Sequence, residues 1–177
     1  MHLSLRSLPD AGEHIDRRFE PSLFQVSDGD ISRVVSPVAL SFDIDRQETG
    51  RYRLAGHVTG EIELACSRCL EPFTLPVTTN FDLQYVPHTE NVGEGERGVE
   101  EDDLTMAFYA DDQIDLGHLI MEQLYLALPM KPLCSDACKG LCPQCGTNLN
   151  AGSCDCSSTW EDPRLAVLKT LARESRK

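Results

Sequence analysis

Between Tyr52 and Leu64 every even position is apolar or glycine: Tyr52, Leu54, Gly56, Val58, Gly60, Ile62 and Leu64. The odd positions carry Arg53, Ala55, His57, Thr59, Glu61 and Glu63. From Phe73 to Tyr85 the odd positions take over, with Phe73, Leu75, Val77, Phe81, Leu83 and Tyr85 interrupted by Thr79. Val38, Leu40, Phe42 and Ile44 make a shorter run of the same kind. Period two over such lengths marks strands with one buried face and favours antiparallel pairing. The links Arg46–Gly50 and Cys66–Pro72 are short, so the three runs predict a meander. Pro76 has no N–H for a ladder and points to an edge position or a bulge.

A further strand is expected at Leu104–Phe108. Asp115 stands where a side-chain cap opens a helix whose apolar stripe is Leu116, Leu119, Ile120, Leu124, Ala127 and Leu128, and Pro129 ends it. A second helix is expected from Asp162-Pro163, a cap followed by proline in the first turn, with Leu165, Leu168 and Leu171 inward. The fold class that follows is α+β: an antiparallel β-meander or partly closed barrel, two helices, and a cysteine-rich zinc-binding C-terminal segment. Residues 1–130 read as a sheet domain with one helix. Residues 131–177 read as a zinc-ribbon-like segment plus a C-terminal helix packed on the same domain. No repeat of solenoid length appears.

Composition narrows the function. With 41% hydrophobic and 25% charged residues, the 177-residue chain is built to fold. Its net charge of −13 argues against coating long nucleic acid by charge alone, which takes a basic surface. The acidity is local, however. Between His88 and Asp115, Glu90, Glu94, Glu96, Glu100, Glu101, Asp102, Asp103, Asp111, Asp112 and Asp115 face one base, Arg97. With Gly93, Gly95 and Gly98 among them, residues 90–115 read as a solvated acidic loop. The longest apolar run, Leu124 to Met130, is too short for a bilayer, and residues 1–20 offer no apolar stretch for a signal sequence. A cytoplasmic protein without membrane contact is expected.

The eight cysteines carry the chemistry. In a reducing compartment such a cluster points to metal binding or catalysis rather than disulfides. Cys142-Pro-Gln-Cys145-Gly146 has the spacing of a two-thiolate grip with a glycine for the tight turn, and Cys154-Asp-Cys156 can close a four-sulfur tetrahedron. Cys66-Ser-Arg-Cys69 needs two more ligands, and Cys134-Ser-Asp-Ala-Cys138 is the remaining pair. Two zinc ions per chain are therefore expected. Four thiolates leave no open position, which favours structural over catalytic zinc. A thioredoxin-like role for Cys66 and Cys69 would need a helix after them, and Leu70-Glu71-Pro72 leads straight into strand alternation.

No Ser-His-Asp order, phosphate-binding glycine loop or HExxH helix can be assembled, and the five histidines are scattered. Basic residues flank the sulfur ligands: Arg68, Lys131 and Lys139. Arg164, Lys169, Arg173, Arg176 and Lys177 add a local excess near the C-terminus. These eight are the candidate contacts for phosphate or a partner, against the plainer reading of solvated surface charge.

The segments CSRCLEPF, LALPMKPLCSDACKGLCPQCGTNLNAGSCDC and DPRLAVLKTL resemble the YceD family of bacterial and plastid proteins, also called large ribosomal RNA subunit accumulation proteins. The resemblance runs from about Leu54 to the C-terminus, and the first 35 residues add nothing to it. It implies a role in accumulating large-subunit ribosomal RNA without an established enzymatic activity. It also implies two separable metal sites, since some members keep the first CxxC and a reduced His/Cys counterpart of Cys134–Cys138 but lack the later cysteines. The expected function is a non-enzymatic factor for large-subunit assembly that binds pre-ribosomal RNA or a large-subunit ribosomal protein. The alternatives are an acidic chaperone for a basic ribosomal protein, or a thiol-redox or zinc enzyme.

Overall fold

The computed structural model describes residues 1–9, 11–24, 32–47, 50–88 and 105–156. In chain order they form β1 (His2–Ser4), β2 (Glu13–Phe19), β3 (Ser32–Val34), β4 (Val38–Arg46), β5 (Tyr52–Ala65), β6 (Pro72–Pro87), β7 (Met106–Tyr109), β8 (Gln113–Asp115) and α1 (Leu116–Leu126). Two compact units result: Met1–Cys66 with Glu71–Cys134, and Ser67–Leu70 with Ser135–Lys177.

In the first unit the main sheet runs in the order β2-β4-β5-β6-β7, and β1 pairs with β8 in a small separate sheet. The strands β4, β5 and β6 pair antiparallel in sequence order, from Ala39↔Thr59 to Arg46↔Tyr52 and from Tyr52↔Tyr85 to Ala65↔Pro72. The even positions of β5 go inward as the alternation requires, with Leu54 and Val58 wholly buried. The inward positions of β6 include buried Val77, Phe81 and Tyr85. At the centre of this face Gly56 lies opposite Phe42 on one neighbour and Phe81 on the other. A Cβ there would meet the Ser41 carbonyl and come within 2.5 Å of the Phe42 Cβ, so the missing side chain is what lets the strands close.

β3 shares the β4 edge of β5 but lies further along it, with Ser32–Val34 opposite Ile62–Leu64. β7 pairs parallel to β6 at Gln84–Pro87. Over the rest of β6, β5 is the neighbouring strand among the described residues, so Pro76, opposite Glu61, lies on an edge. Among the described residues no pairing joins β2 to β7, and no barrel closes. The strand expected at Leu104–Phe108 is β7, Met106–Tyr109; Leu104 is outside the described residues. So are the helix expected from Asp162 and the acidic positions between 89 and 104.

β2 had no counterpart in the sequence reading. Only Ile15 and Phe19 are buried along it, while Arg17 between them stays exposed, so its period-two signal is weak. α1 places Leu116, Leu119, Ile120 and Leu124 in the core, with buried Gln123 beside them. It ends at Leu126, before Pro129, and Ala127 is exposed rather than part of the stripe. The Asp115 carboxylate accepts from the Gly117 N–H (2.8 Å) and the His118 N–H (3.3 Å), which makes it the N-cap. No helix among the described residues is long and apolar enough to cross a membrane.

Gly56→Ala should destabilise the first unit by about 1–3 kcal/mol in urea denaturation, the usual cost of an overpacked interior. Asp115→Ala should cost about 1 kcal/mol at neutral pH. Burial raises the Asp115 pKa, and the Gly117 and His118 donors more than offset that, leaving it below the ordinary 3.8. A depressed carboxylate contributes stability above its unfolded pKa and loses it as pH falls through the folded one. The difference between wild type and Asp115→Ala should therefore shrink in urea titrations carried below pH 3.8.

Candidate metal centres

Both CxxC segments form turns with the same local geometry. At Cys66-Ser-Arg-Cys69 the Cys66 N–H donates to the Glu71 carbonyl (2.9 Å). At Cys142-Pro-Gln-Cys145 the Cys142 N–H donates to Thr147 O (2.8 Å), and the Gly146 N–H donates back to Cys142 O (2.9 Å). The residue after the second cysteine is left-handed in each: Gly146 at φ +73° and Leu70 at φ +62°. Glycine takes this conformation freely, whereas a residue with a Cβ gives up about 1–2 kcal/mol. The second turn thus has the residue its backbone calls for, and the first holds a strained leucine.

These turns bring the cysteines into two quartets. The sulfurs of Cys66, Cys69, Cys134 and Cys138 all lie within 4.8 Å of one another, and so do those of Cys142, Cys145, Cys154 and Cys156. None of the eight is in a disulfide. A tetrahedral ion with metal–sulfur bonds of about 2.3 Å sets its sulfurs roughly 3.8 Å apart, so both donor sets fit such an ion. The Cys66 quartet is buried except for Cys134, while in the Cys142 quartet only Cys142 is buried. The sequence groups the same cysteines, the Cys142 set by its spacing and the Cys66 set by elimination. The Cys154-Asp-Cys156 pair works because residues 152–156 follow no strand, so alternate side chains need not diverge.

Hydrogen bonds tune the thiols. The Thr147 hydroxyl, 3.1 Å from Cys145 Sγ, and the Thr147 backbone hold the Cys145 pKa down to about 6. Beside it, hydrogen bonding to Cys145 pushes Cys156 up to about 12. The arrangement favours the thiolate on Cys145 and disfavours it on Cys156. That is the response of close sulfurs for which a cation would be the natural relief.

Within the second unit, Arg68 is committed to the turn it sits in. Its Nη1 donates to the carbonyls of Asp136 (3.2 Å) and Cys138 (2.9 Å), while its own carbonyl accepts from the Leu141 N–H (3.0 Å). Lys139 is exposed, and Lys131 of the first unit is exposed as well. Arg164, Lys169, Arg173, Arg176 and Lys177 lie outside the described residues.

The family model described as large ribosomal RNA subunit accumulation protein YceD matches residues 54–172, a span that holds both quartets. The chain belongs to the YceD family. Among curated proteins, the large ribosomal RNA subunit accumulation protein YCED homolog 1, chloroplastic, of Zea mays is 32% identical over 144 residues, covering 68% of this chain and 49% of that protein. Its Arabidopsis thaliana namesake is 28% identical over 160 residues, covering 78% and 50%. The uncharacterized protein YlbN of Bacillus subtilis is 28% identical over 173 residues, covering 96% and 94%. The chain thus spans about half the length of the two chloroplast proteins. No solved structure matches it.

This YceD-family chain also contains a constellation that sequence order did not reveal. On the outer face of the sheet, His14 Nδ1 lies 2.7 Å from Asp43 Oδ1, and Ser41 Oγ lies 3.4 Å from His14 Nε2. No Ser-His-Asp order is legible in the sequence, and the β2–β4 pairing is what brings these three residues together. The Ser41 hydroxyl hydrogen-bonds the Asp16 carboxylate, and Asp16 Oδ2 also lies 3.4 Å from His14 Nε2. The hydrogen bond to Asp43, with Asp16 on the other side of the ring, raises the His14 pKa. Ser41 is paired with Asp16 on one side and His57 on the other, within the sheet. The signal that could have found this set is the β2 register, which needs β2 to be recognised first.

Leu70→Gly should stabilise the protein by about 1 kcal/mol in chemical denaturation by removing the left-handed strain. Gly146→Ala should do the reverse by about 1–2 kcal/mol. Nothing lies within 4 Å of a Cβ at position 146, so that cost is conformational rather than a clash.

Proposed function

We propose that the chain is a non-enzymatic, zinc-stabilised factor that promotes assembly of the large ribosomal subunit and accumulation of its ribosomal RNA. Membership of the YceD family and the names of its chloroplast relatives support the process. The observation that carries the mechanism is the pair of complete cysteine quartets. Thiolate-only sets suit zinc, and four sulfurs fill its tetrahedron, leaving no position at which water or substrate is activated. Zinc here makes shape. In this reading Cys66, Cys69, Cys134 and Cys138 hold one ion and Cys142, Cys145, Cys154 and Cys156 the other.

The partner is pre-ribosomal RNA or a large-subunit ribosomal protein, met in the cytoplasm. Lys131 and Lys139 contribute exposed charge, and Arg164, Lys169, Arg173, Arg176 and Lys177 add basic residues further along the sequence. Arg68 serves the contact by holding its turn rigid and offers a partner only the donors that the Asp136 and Cys138 carbonyls leave over. The charge of −13 favours a second reading, in which the acidic chain shields a basic ribosomal protein without touching RNA.

Elemental analysis of the reduced chain should return two zinc ions. Exhaustive chelation should lower the melting temperature sharply, since structural zinc contributes about 10–16 kcal/mol to such sites at neutral pH. A chain that keeps its melting temperature when metal-free would refute the zinc assignment. Depletion in cells should reduce mature large-subunit ribosomal RNA, and unchanged subunit profiles would refute the assembly role. Direct RNA contact should weaken steeply with salt in a gel-shift titration. Co-purification of a basic protein that survives nuclease would favour the shielding role.

A further inference from the structure

One side chain of the Cys142 segment, Asn150, reaches the other quartet. It lies in the loop that runs from Cys145 to Cys154. Its Oδ1 accepts from the Lys139 N–H at 2.8 Å. A backbone N–H can only donate, so that contact fixes which end of the amide is oxygen and turns Nδ2 the other way. Nδ2 then donates to Cys138 Sγ at 3.3 Å and to Asn148 Oδ1 at 3.0 Å. Both of its hydrogens are used, one on a ligand atom.

We infer that Asn150 couples the two quartets, so that a metal ion in the Cys142 quartet tightens the hold of the Cys66 quartet on its own ion. The inference rests on the reading that both quartets take metal. A metal-bound thiolate keeps negative charge on sulfur, and an N–H aimed at it stabilises that charge and fixes the orientation of the ligand. The aim of Asn150 depends on its loop. Leu149 N–H donates to Gly140 O (2.9 Å), Asn150 N–H donates to Asn148 Oδ1 (3.0 Å), and Leu141 bridges Asn148. The two ends of that loop are the cysteines Cys145 and Cys154 themselves. Filling the Cys142 quartet ties both ends, and the amide is held ready for Cys138. Without that ion the loop must be ordered when the Cys66 quartet loads, and affinity is lost to that ordering. By linkage the effect runs equally in both directions.

The test is a Co²⁺ titration of the full-length reduced chain against a competing chelator, read from the thiolate-to-metal charge-transfer and d–d bands. Cys145→Ser/Cys154→Ser isolates the Cys66 quartet, and Cys66→Ser/Cys69→Ser isolates the other. With both quartets intact, Asn150→Ala should weaken the Cys66 quartet by roughly 10–100-fold, the usual effect of losing a hydrogen bond to a ligand. In the Cys145→Ser/Cys154→Ser background the same substitution should change affinity much less, because the amide is no longer held in place. Asn150→Asp keeps the acceptor for Lys139 and removes the donor to sulfur, so it should reproduce the loss even if alanine disturbs the loop. Two Co²⁺ bound with unchanged affinity in both Asn150 variants would overturn the coupling and leave the metal reading intact. Failure of the wild-type chain to develop either band would overturn both.

Discussion

The register of the β5–β6 hairpin is the constraint on which the rest depends. It pairs the strands without interruption from Tyr52↔Tyr85 to Ala65↔Pro72, and it admits no slip. A shift of one residue would send Leu54, Val58 and Ile62 to the solvent face and bring His57, Thr59 and Glu61 into the core. The same register decides where the strands stop. Cys66 follows β5 directly, the turn occupies residues 67–69, and the Cys66 N–H closes on Glu71. A hydrophobic requirement inside the sheet therefore sets the position of a thiol beyond it.

The turns convert that position into a ligand set. Each CxxC needs a left-handed residue after its second cysteine, because the chain must reverse within one peptide of the sulfur it presents. Gly146 meets this need at no cost, and Leu70 meets it under strain while 65% exposed. Strain of this kind persists where surrounding bonds over-determine the backbone. Around Leu70 those bonds come from Arg68, whose carbonyl and guanidinium both serve the segment from Asp136 to Leu141. A basic side chain within a ligand turn is here as much a strut as a charge.

The histidine cluster on the outer face is a product of the β2–β4 pairing. Ser41, His14 and Asp43 approach the distances of a catalytic triad. Asp16 also takes the serine hydroxyl, and carboxylates on both sides of the ring raise the His14 pKa. The quartets differ in kind: each gathers four sulfurs within 4.8 Å of one another.

The residues alone determined the three long strands, the Asp115 cap and the inward face of α1, because each rests on short-range rules of spacing and alternation. Cys134 and Cys138, by contrast, are assigned to Cys66 and Cys69 only by elimination. The strand β2 escaped those rules, since Ile15 and Phe19 with exposed Arg17 between make too faint a period. The parallel seat of β7 also escaped, because four residues cannot state which neighbour or direction they will take. Only the tertiary structure could set Asn150 against Cys138 or His14 against Asp43. Those contacts depend on how separate segments are aligned, and alignment is settled by the packing of whole strands and turns rather than by the residues that end up touching.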